Sequence, residues 1–132
     1  MITNIIKGNV LKERVIVFAI NTEGINDSGF AGLVAKKYWP ELAYIGPNPL
    51  GAIVRESADG KQFYAIVCHS LGNNGWNRTP ACLEDTLNTL DQEEVACVMI
   101  GAGPVGQMQG ANVIEILGAM ARSRLKIKVY HL

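Results

Sequence analysis

Two stretches of this sequence carry residue types and spacings that fit the capture of a phosphorylated ligand. The first, Asn21-Thr22-Glu23-Gly24-Ile25-Asn26-Asp27-Ser28-Gly29-Phe30-Ala31, follows the apolar run VIVFAI. The second, Gly101-Ala102-Gly103-Pro104-Val105-Gly106-Gln107, follows VACVMI. Where a strand hands over to a helix, unpaired backbone N–H groups attract phosphate oxygens, and glycine lets the backbone come close. Ligands of open α/β sheets bind outside the carboxyl ends of the strands, so two such junctions on one edge can clamp a diphosphate. Neither stretch is a P-loop, since GxxxxGK[ST] is absent, and GAGPVG lacks the GxGxxG spacing. Each alone reads equally well as an ordinary turn.

Three polar residues are candidates for proton transfer or for orienting a reactant: Asn21, Asp27 and His69. Asn21 at a strand end contacts a ligand or forms an Asx turn with its own backbone. Asp27 reads as the N-cap of a helix from Gly29, or as a general acid or base for a distal phosphate ester or glycosidic bond. His69 closes an apolar run next to Ser70. Adjacent strand residues face opposite sides, so the two are no nucleophile–base pair, although an ordinary imidazole pKa near ~6.5 suits proton transfer. Trp76, in the polar loop Gly72 to Arg78, flanks a pocket or packs on the core. Two histidines and three cysteines without a CxxC pair supply no zinc set, and no metal or other cofactor is expected.

The elements that must position these residues alternate. Ile2 to Ile6, Val15 to Ile20, Ala52 to Arg55, Gln62 to His69, Val95 to Ile100 and Leu125 to Tyr130 read as six strands. Three helices are expected: one from Ser28 to Trp39 with Phe30, Leu33, Val34 and Tyr38 on one face; one opening at Thr79-Pro80 as hydroxyl cap and first-turn proline, striped by Leu83, Leu87 and Leu90; and one through Val113, Ile116, Leu117 and Met120. Asp59-Gly60 marks a hairpin, which makes the sheet mixed. Lys126 and Lys128 alternate as on an edge strand, and Met108 reads as a gap filler. Helices following buried strands give an α/β layered fold.

Length and composition bound the rest. The 132 residues suit one domain spanning 1–132, and 48% hydrophobic with 18% charged residues excludes disorder. Twelve Lys plus Arg balance twelve Asp plus Glu, so no global field favours nucleic acid or an anionic membrane. No apolar run reaches the ~18–20 residues of a membrane span, and the N-terminal segment lacks a signal-peptide layout. Three unpaired cysteines, with Cys68 and Cys97 in apolar runs, suit the reduced thiols of a cytoplasm.

The motifs taken in order resemble the macro domain family of ADP-ribose-binding modules. Lys7-Gly8-Asn9-Val10 is similar to the family's opening Gly-Asp-Ile. Val17-Phe18-Ala19-Ile20-Asn21 is similar to its Val-Asn-Ala-Ala-Asn strand, Gly29-Phe30-Ala31 falls at the spacing of its glycine run and helix entry, and Ile100 to Gly106 resembles its second phosphate loop. The resemblance covers nearly the whole chain and implies a three-layer α/β/α fold. It implies that Asn9, with Val10, meets adenine, that Asn21 meets the distal ribose, and that Asn26, Ser28, Gly29, Phe30 and Ala31 wrap that ribose and the adjoining phosphate. Gly101, Ala102, Gly103, Pro104, Val105, Gly106 and Gln107 would hold the diphosphate, and Tyr130 would pack on adenine.

The departures are specific. Phe18 replaces the motif's first asparagine, and Asn26-Asp27-Ser28-Gly29 thins the glycine run. Ala31 and Val105 stand where two hydrolase subgroups carry an aspartate, and Asn26 stands where some phosphatase members have histidine. The resemblance implies an ADP-ribose-type small-molecule ligand and, as an activity, hydrolysis of ADP-ribose-1″-phosphate. In that reaction Asn21 would orient ribose or water, the loop N–H groups would stabilise developing charge, and Asp27 or His69 would transfer the proton. The rival readings are a non-catalytic reader of ADP-ribose or ADP-ribosylated protein, an ADP-ribosyl hydrolase with other residues, and an interaction domain with a decayed pocket.

Overall fold

The computed structural model describes residues Met1 to Leu132. The strands are β1 (Ile2–Lys7), β2 (Val15–Asn21), β3 (Ile53–Ala58), β4 (Lys61–His69), β5 (Glu94–Val98) and β6 (Lys126–His131). The helices are α1 (Gly29–Lys37), α2 (Thr79–Leu87), α3 (Pro104–Met108) and α4 (Val113–Arg122), and 3₁₀ turns occupy Val10–Lys12 and Pro40–Ala43. One sheet runs β1-β6-β5-β2-β4-β3. Only β3 is antiparallel to its neighbour; every other pair is parallel. The mixed sheet follows from the expected hairpin: Asp59 and Gly60 take φ of 52° and 74°, the left-handed pair that a tight two-residue turn needs.

β2 is unalternating because both its faces are covered. Ile16, Phe18 and Ile20 pack with Val34, Trp39 and Leu42 on the α1 side. Val17 packs on the other side with Leu83 and Leu87 of α2 and Ile116 and Met120 of α4, with Ala19 against the same cluster. The result is three layers, with α1 and the Pro40–Ala43 turn on one face of the sheet and α2 and α4 on the other. Cys68 and Cys97 are fully buried, as expected.

Four expectations need correction. Lys126 and Lys128 are not on an edge strand: β6 lies between β1 and β5, and the edges are β1 and β3. The alternation arises because Ile127 and Val129 point into the α4-side core while the lysines lie exposed on the opposite face. There are four helices rather than three, the extra one being the short α3 within the second glycine stretch. Thr79 is the first residue inside α2 rather than its cap, and its hydroxyl donates to the Cys68 carbonyl at 2.7 Å, tying α2 to the end of β4. Finally, Leu33 and Met108 are exposed, at 41% and 81%. α1 seats Val34 and Ala35 in the core, and α3 rests on Gly106, which turns Met108 outward.

Candidate functional site

β2 and β5 are parallel neighbours, with Ile16 opposite Ala96 and Val17 opposite Cys97. The segments that follow them therefore leave the same edge of the sheet side by side, as the two glycine-bearing stretches require. β4 ends on the same edge at His69, and β1 ends there at Lys7.

The first loop is held from within. Asn21, 5% exposed, donates from Nδ2 to the Ile25 carbonyl at 2.6 Å and accepts the Ile25 N–H at Oδ1 at 3.1 Å. This is the turn-forming role open to Asx residues. Asn26 is also buried, and its Nδ2 donates to the Leu42 carbonyl at 3.0 Å. An outer strap completes the restraint. The Asn26 N–H donates to Ala43 O, the Ile45 N–H to Gly24 O and the Asn48 N–H to Thr22 O, at 2.8, 3.1 and 2.9 Å. At Gly24 a Cβ would stand 2.0 Å from the Gly46 carbonyl oxygen, so the two segments touch backbone to backbone where only glycine fits.

Asp27 does not cap α1. Ser28 occupies the cap position without a side-chain bond, while the Asp27 carboxylate accepts the Tyr44 hydroxyl at 2.8 Å. The carboxylate raises the Tyr44 phenol pKa through this bond and its charge. The backbone N–H groups from Asp27 to Ala31 have no acceptor within the chain, as expected for an uncapped helix start. In the second loop the N–H groups of Gly101, Gly103, Val105 and Gly106 are likewise unpaired, and Gln107 Nε2 donates to the Ala102 carbonyl at 2.8 Å. Two sets of free donors thus stand on adjoining strand ends.

His69 ends β4, on the far side of β2 from β5, opposite Asn21. Its ring stacks on Trp76 at 3.8 Å with a 10° interplanar angle. Trp76 in turn donates from Nε1 to Gln109 Oε1 at 3.3 Å, linking β4 to the C-terminal end of α3. His69 is 7% exposed, and its Nδ1 is a buried polar atom with no hydrogen-bond partner. Burial disfavours the charged imidazolium and lowers its pKa to about 4, against the smaller opposing pull of the Ser70 backbone and Glu23. At Glu23 burial raises the carboxyl pKa, but bonds from the Thr22 hydroxyl and the Leu71 N–H prevail and lower it.

At the β1 end, Asn9 is exposed and its Oδ1 accepts the Leu11 N–H at 3.0 Å, capping the first 3₁₀ turn, while Val10 is buried. Tyr130 is 3% exposed; Lys12 Nζ lies 5.5 Å from the ring centroid and the hydroxyl donates to Glu13. The hydrogen bond to Glu13, reinforced by burial and the charge of Glu13, raises the phenol pKa to about 12. The Tyr130 ring belongs to the core cluster on the α1 side of the sheet. Phe18 is buried edge-on to Phe30 at 5.5 Å and Phe63 at 6.4 Å, so the departure from the motif's asparagine anchors the start of α1 from below.

Sequence reasoning missed the strap at residues 42–48, Tyr44 and the Trp76–Gln109 bond. Pro47, Pro49 and Gly51 mark that region as loop, but no periodicity shows which loop it touches. A concavity of about 920 Å³, lined by Asp91, Glu93, Glu94, Arg124 and Lys126 among others, opens at the opposite end of the sheet and involves neither glycine stretch. No group of three or more His, Cys, Asp or Glu side chains is placed to hold a metal. No helix is long and apolar enough to cross a membrane.

No protein-family model matches the sequence, and no curated protein matches it. Solved structures do match. The chain superposes on a protein of unknown function from Bacteroides thetaiotaomicron with a TM-score of 0.73 at 18% identity, covering 100% of this chain and 98% of that one. It superposes on the macrodomain of Thermus aquaticus DarG with a TM-score of 0.71 at 18% identity, covering 100% and 99%. For the Oceanobacillus iheyensis macrodomain with ADP the values are 0.68 and 17%, with 96% and 80% covered.

Proposed function

This chain has the macrodomain fold, and from that premise we propose that it binds ADP-ribose, or a close derivative, across the two loops that follow β2 and β5. The observation that carries this reading is the pair of unpaired N–H sets at adjoining parallel strand ends, Asp27 to Ala31 on one and Gly101, Gly103, Val105 and Gly106 on the other. Backbone donors in that arrangement suit a diphosphate without needing a cationic side chain. A structural relative with ADP bound agrees in ligand class. Asn9, exposed at the end of β1, is the group nearest in kind to an adenine reader, through the second lone pair of its Oδ1.

Binding is the better supported activity. Hydrolysis of a 1″-phosphate would draw on Asn21, Asp27 and His69; the first two are already hydrogen-bonded within the chain and the third is buried. The Asn21 amide is spent on Ile25, Asp27 accepts Tyr44, and His69 lies under Trp76 with its neutral form favoured. An ADP-ribosylated protein is the natural macromolecular form of the same ligand, and the reader role accommodates it. Calorimetric titration with ADP-ribose, AMP and ADP tests the reading. The expected result is micromolar ADP-ribose affinity, about 8 kcal/mol, with a clear loss for AMP. No heat and no competition at millimolar ligand would sink it.

A further inference from the structure

Resting on the binding reading above, we infer that Asp27, positioned by Tyr44, is a charge filter: the distal end of the site takes an uncharged sugar hydroxyl and rejects a terminal phosphate ester. The first ground is the charge inventory of the site. From Val15 to Ala35 the only ionisable side chains of the Asp, Glu, Lys and Arg classes are Glu23 and Asp27, and from Val95 to Ala121 the only one is Glu115. Neither loop brings a lysine or arginine. A diphosphate can be met there by neutral N–H donors, but each further phosphate adds up to two negative charges with no cation to offset them.

The second ground is where Asp27 is held. Its backbone lies against the first turns of α1, close enough that a Cβ on Gly32 would stand 2.7 Å from the Asp27 carbonyl carbon. Its own N–H and the four that follow are the first of the site's two sets of free donors. The Tyr44 hydroxyl donates to the carboxylate at 2.8 Å in an exposed contact, and the Tyr44 backbone is held through the Ile25–Tyr44 bridge and the Asn26–Ala43 hydrogen bond. The carboxylate therefore places its charge on the residue whose own N–H opens the first donor set. Tyr44 is a positioning residue, acting through Asp27. The helix dipole that draws the diphosphate is locally opposed on this flank only, which separates the two ends of one ligand.

The test is the ratio of dissociation constants for ADP-ribose-1″-phosphate and ADP-ribose, measured on the wild-type chain, Asp27→Asn and Tyr44→Phe at low and high salt. At roughly 6 Å in a water-like dielectric a carboxylate disfavours a dianion about tenfold, so a wild-type ratio near ten is expected. It should shrink at high salt, fall to about one in Asp27→Asn, and take an intermediate value in Tyr44→Phe, where the carboxylate is free to turn away. A wild-type ratio near or below one, or an undiminished ratio in Asp27→Asn, overturns the filter while leaving ADP-ribose binding standing. No ADP-ribose binding by a folded wild-type chain overturns the underlying reading, and the filter falls with it.

Discussion

Replacing His69 by Phe should make the protein's stability less dependent on pH, and the size of the change follows from the geometry of the stack. His69 is 7% exposed, lies flat on Trp76, and has an unpartnered Nδ1. It protonates near 6.5 when free and at about 4 in the folded chain. Between those values the unfolded chain holds a proton that the folded chain does not, so acidification favours unfolding. The contribution is intact above the unfolded value, is lost progressively as pH falls through the window, and is fully lost below the folded value. At about 1.4 kcal/mol for each pH unit, the whole window is worth on the order of 3 kcal/mol. Phe keeps an aromatic face for Trp76 and removes both the titration and the orphaned nitrogen, whose burial costs ~1–3 kcal/mol. Any overpacking by the larger ring, ~1 kcal/mol, displaces the whole curve without altering its slope. The assay is urea unfolding of both proteins at a series of pH values across the window. Carboxylates other than Glu23, whose charge acts on His69, cancel in the difference between the curves. Stability–pH curves that run parallel would refute the account of His69 as a buried neutral base.

Three further outcomes are expected. Gly24→Ala, which drives a Cβ to 2.0 Å from the Gly46 carbonyl at φ 75°, should cost about 3 kcal/mol or more, whereas Gly29→Ala, at φ 62° with open space around it, should cost about 1 kcal/mol; thermal unfolding of the two variants compares them. Cys68, Cys82 and Cys97 are all buried, and burial pushes each thiol pKa up. A thiolate-selective reagent should therefore label none of them in the native state and all three in denaturant. The Tyr44 phenol, raised by Asp27, should titrate at lower pH in Asp27→Asn, read by ultraviolet absorbance against the wild type.

The sheet was legible because β2, β4 and β5 are largely apolar runs and its hairpin carries Asp59-Gly60; local chemistry determines both. Strand order was not, and the misplacement of β6 shows why. Lys126 and Lys128 report that one face of the strand meets water, which an interior strand with one uncovered face shares with an edge strand. The two donor loops were visible from glycine following apolar runs, since the backbone requirement there is itself local. The commitments of Asn21, Asn26 and Asp27 were not visible. Their partners come from Ile25, Leu42 and Tyr44, and the strap that supplies two of them has no periodic signature. Trp76 declared only that a large ring must go somewhere, and that it covers His69 depends on the path of the loop between β4 and α2.

The parallel pairing of β1 with β6 sets the order in which this molecule can assemble. β1 has no other partner in the sheet, and the residues it meets lie at separations such as the 124 positions between Thr3 and Ile127. β1 reaches the rest of the sheet only through β6, while the hairpin of β3 and β4 can zip locally. Closing so long a loop late in folding makes β1 the last strand to dock, and non-local pairing of this kind slows refolding. Substitutions in β1 should then accelerate unfolding while leaving the refolding rate nearly untouched. A chain emerging from synthesis would carry Ile2, Ile5 and Ile6 unpaired until its final strand has been made.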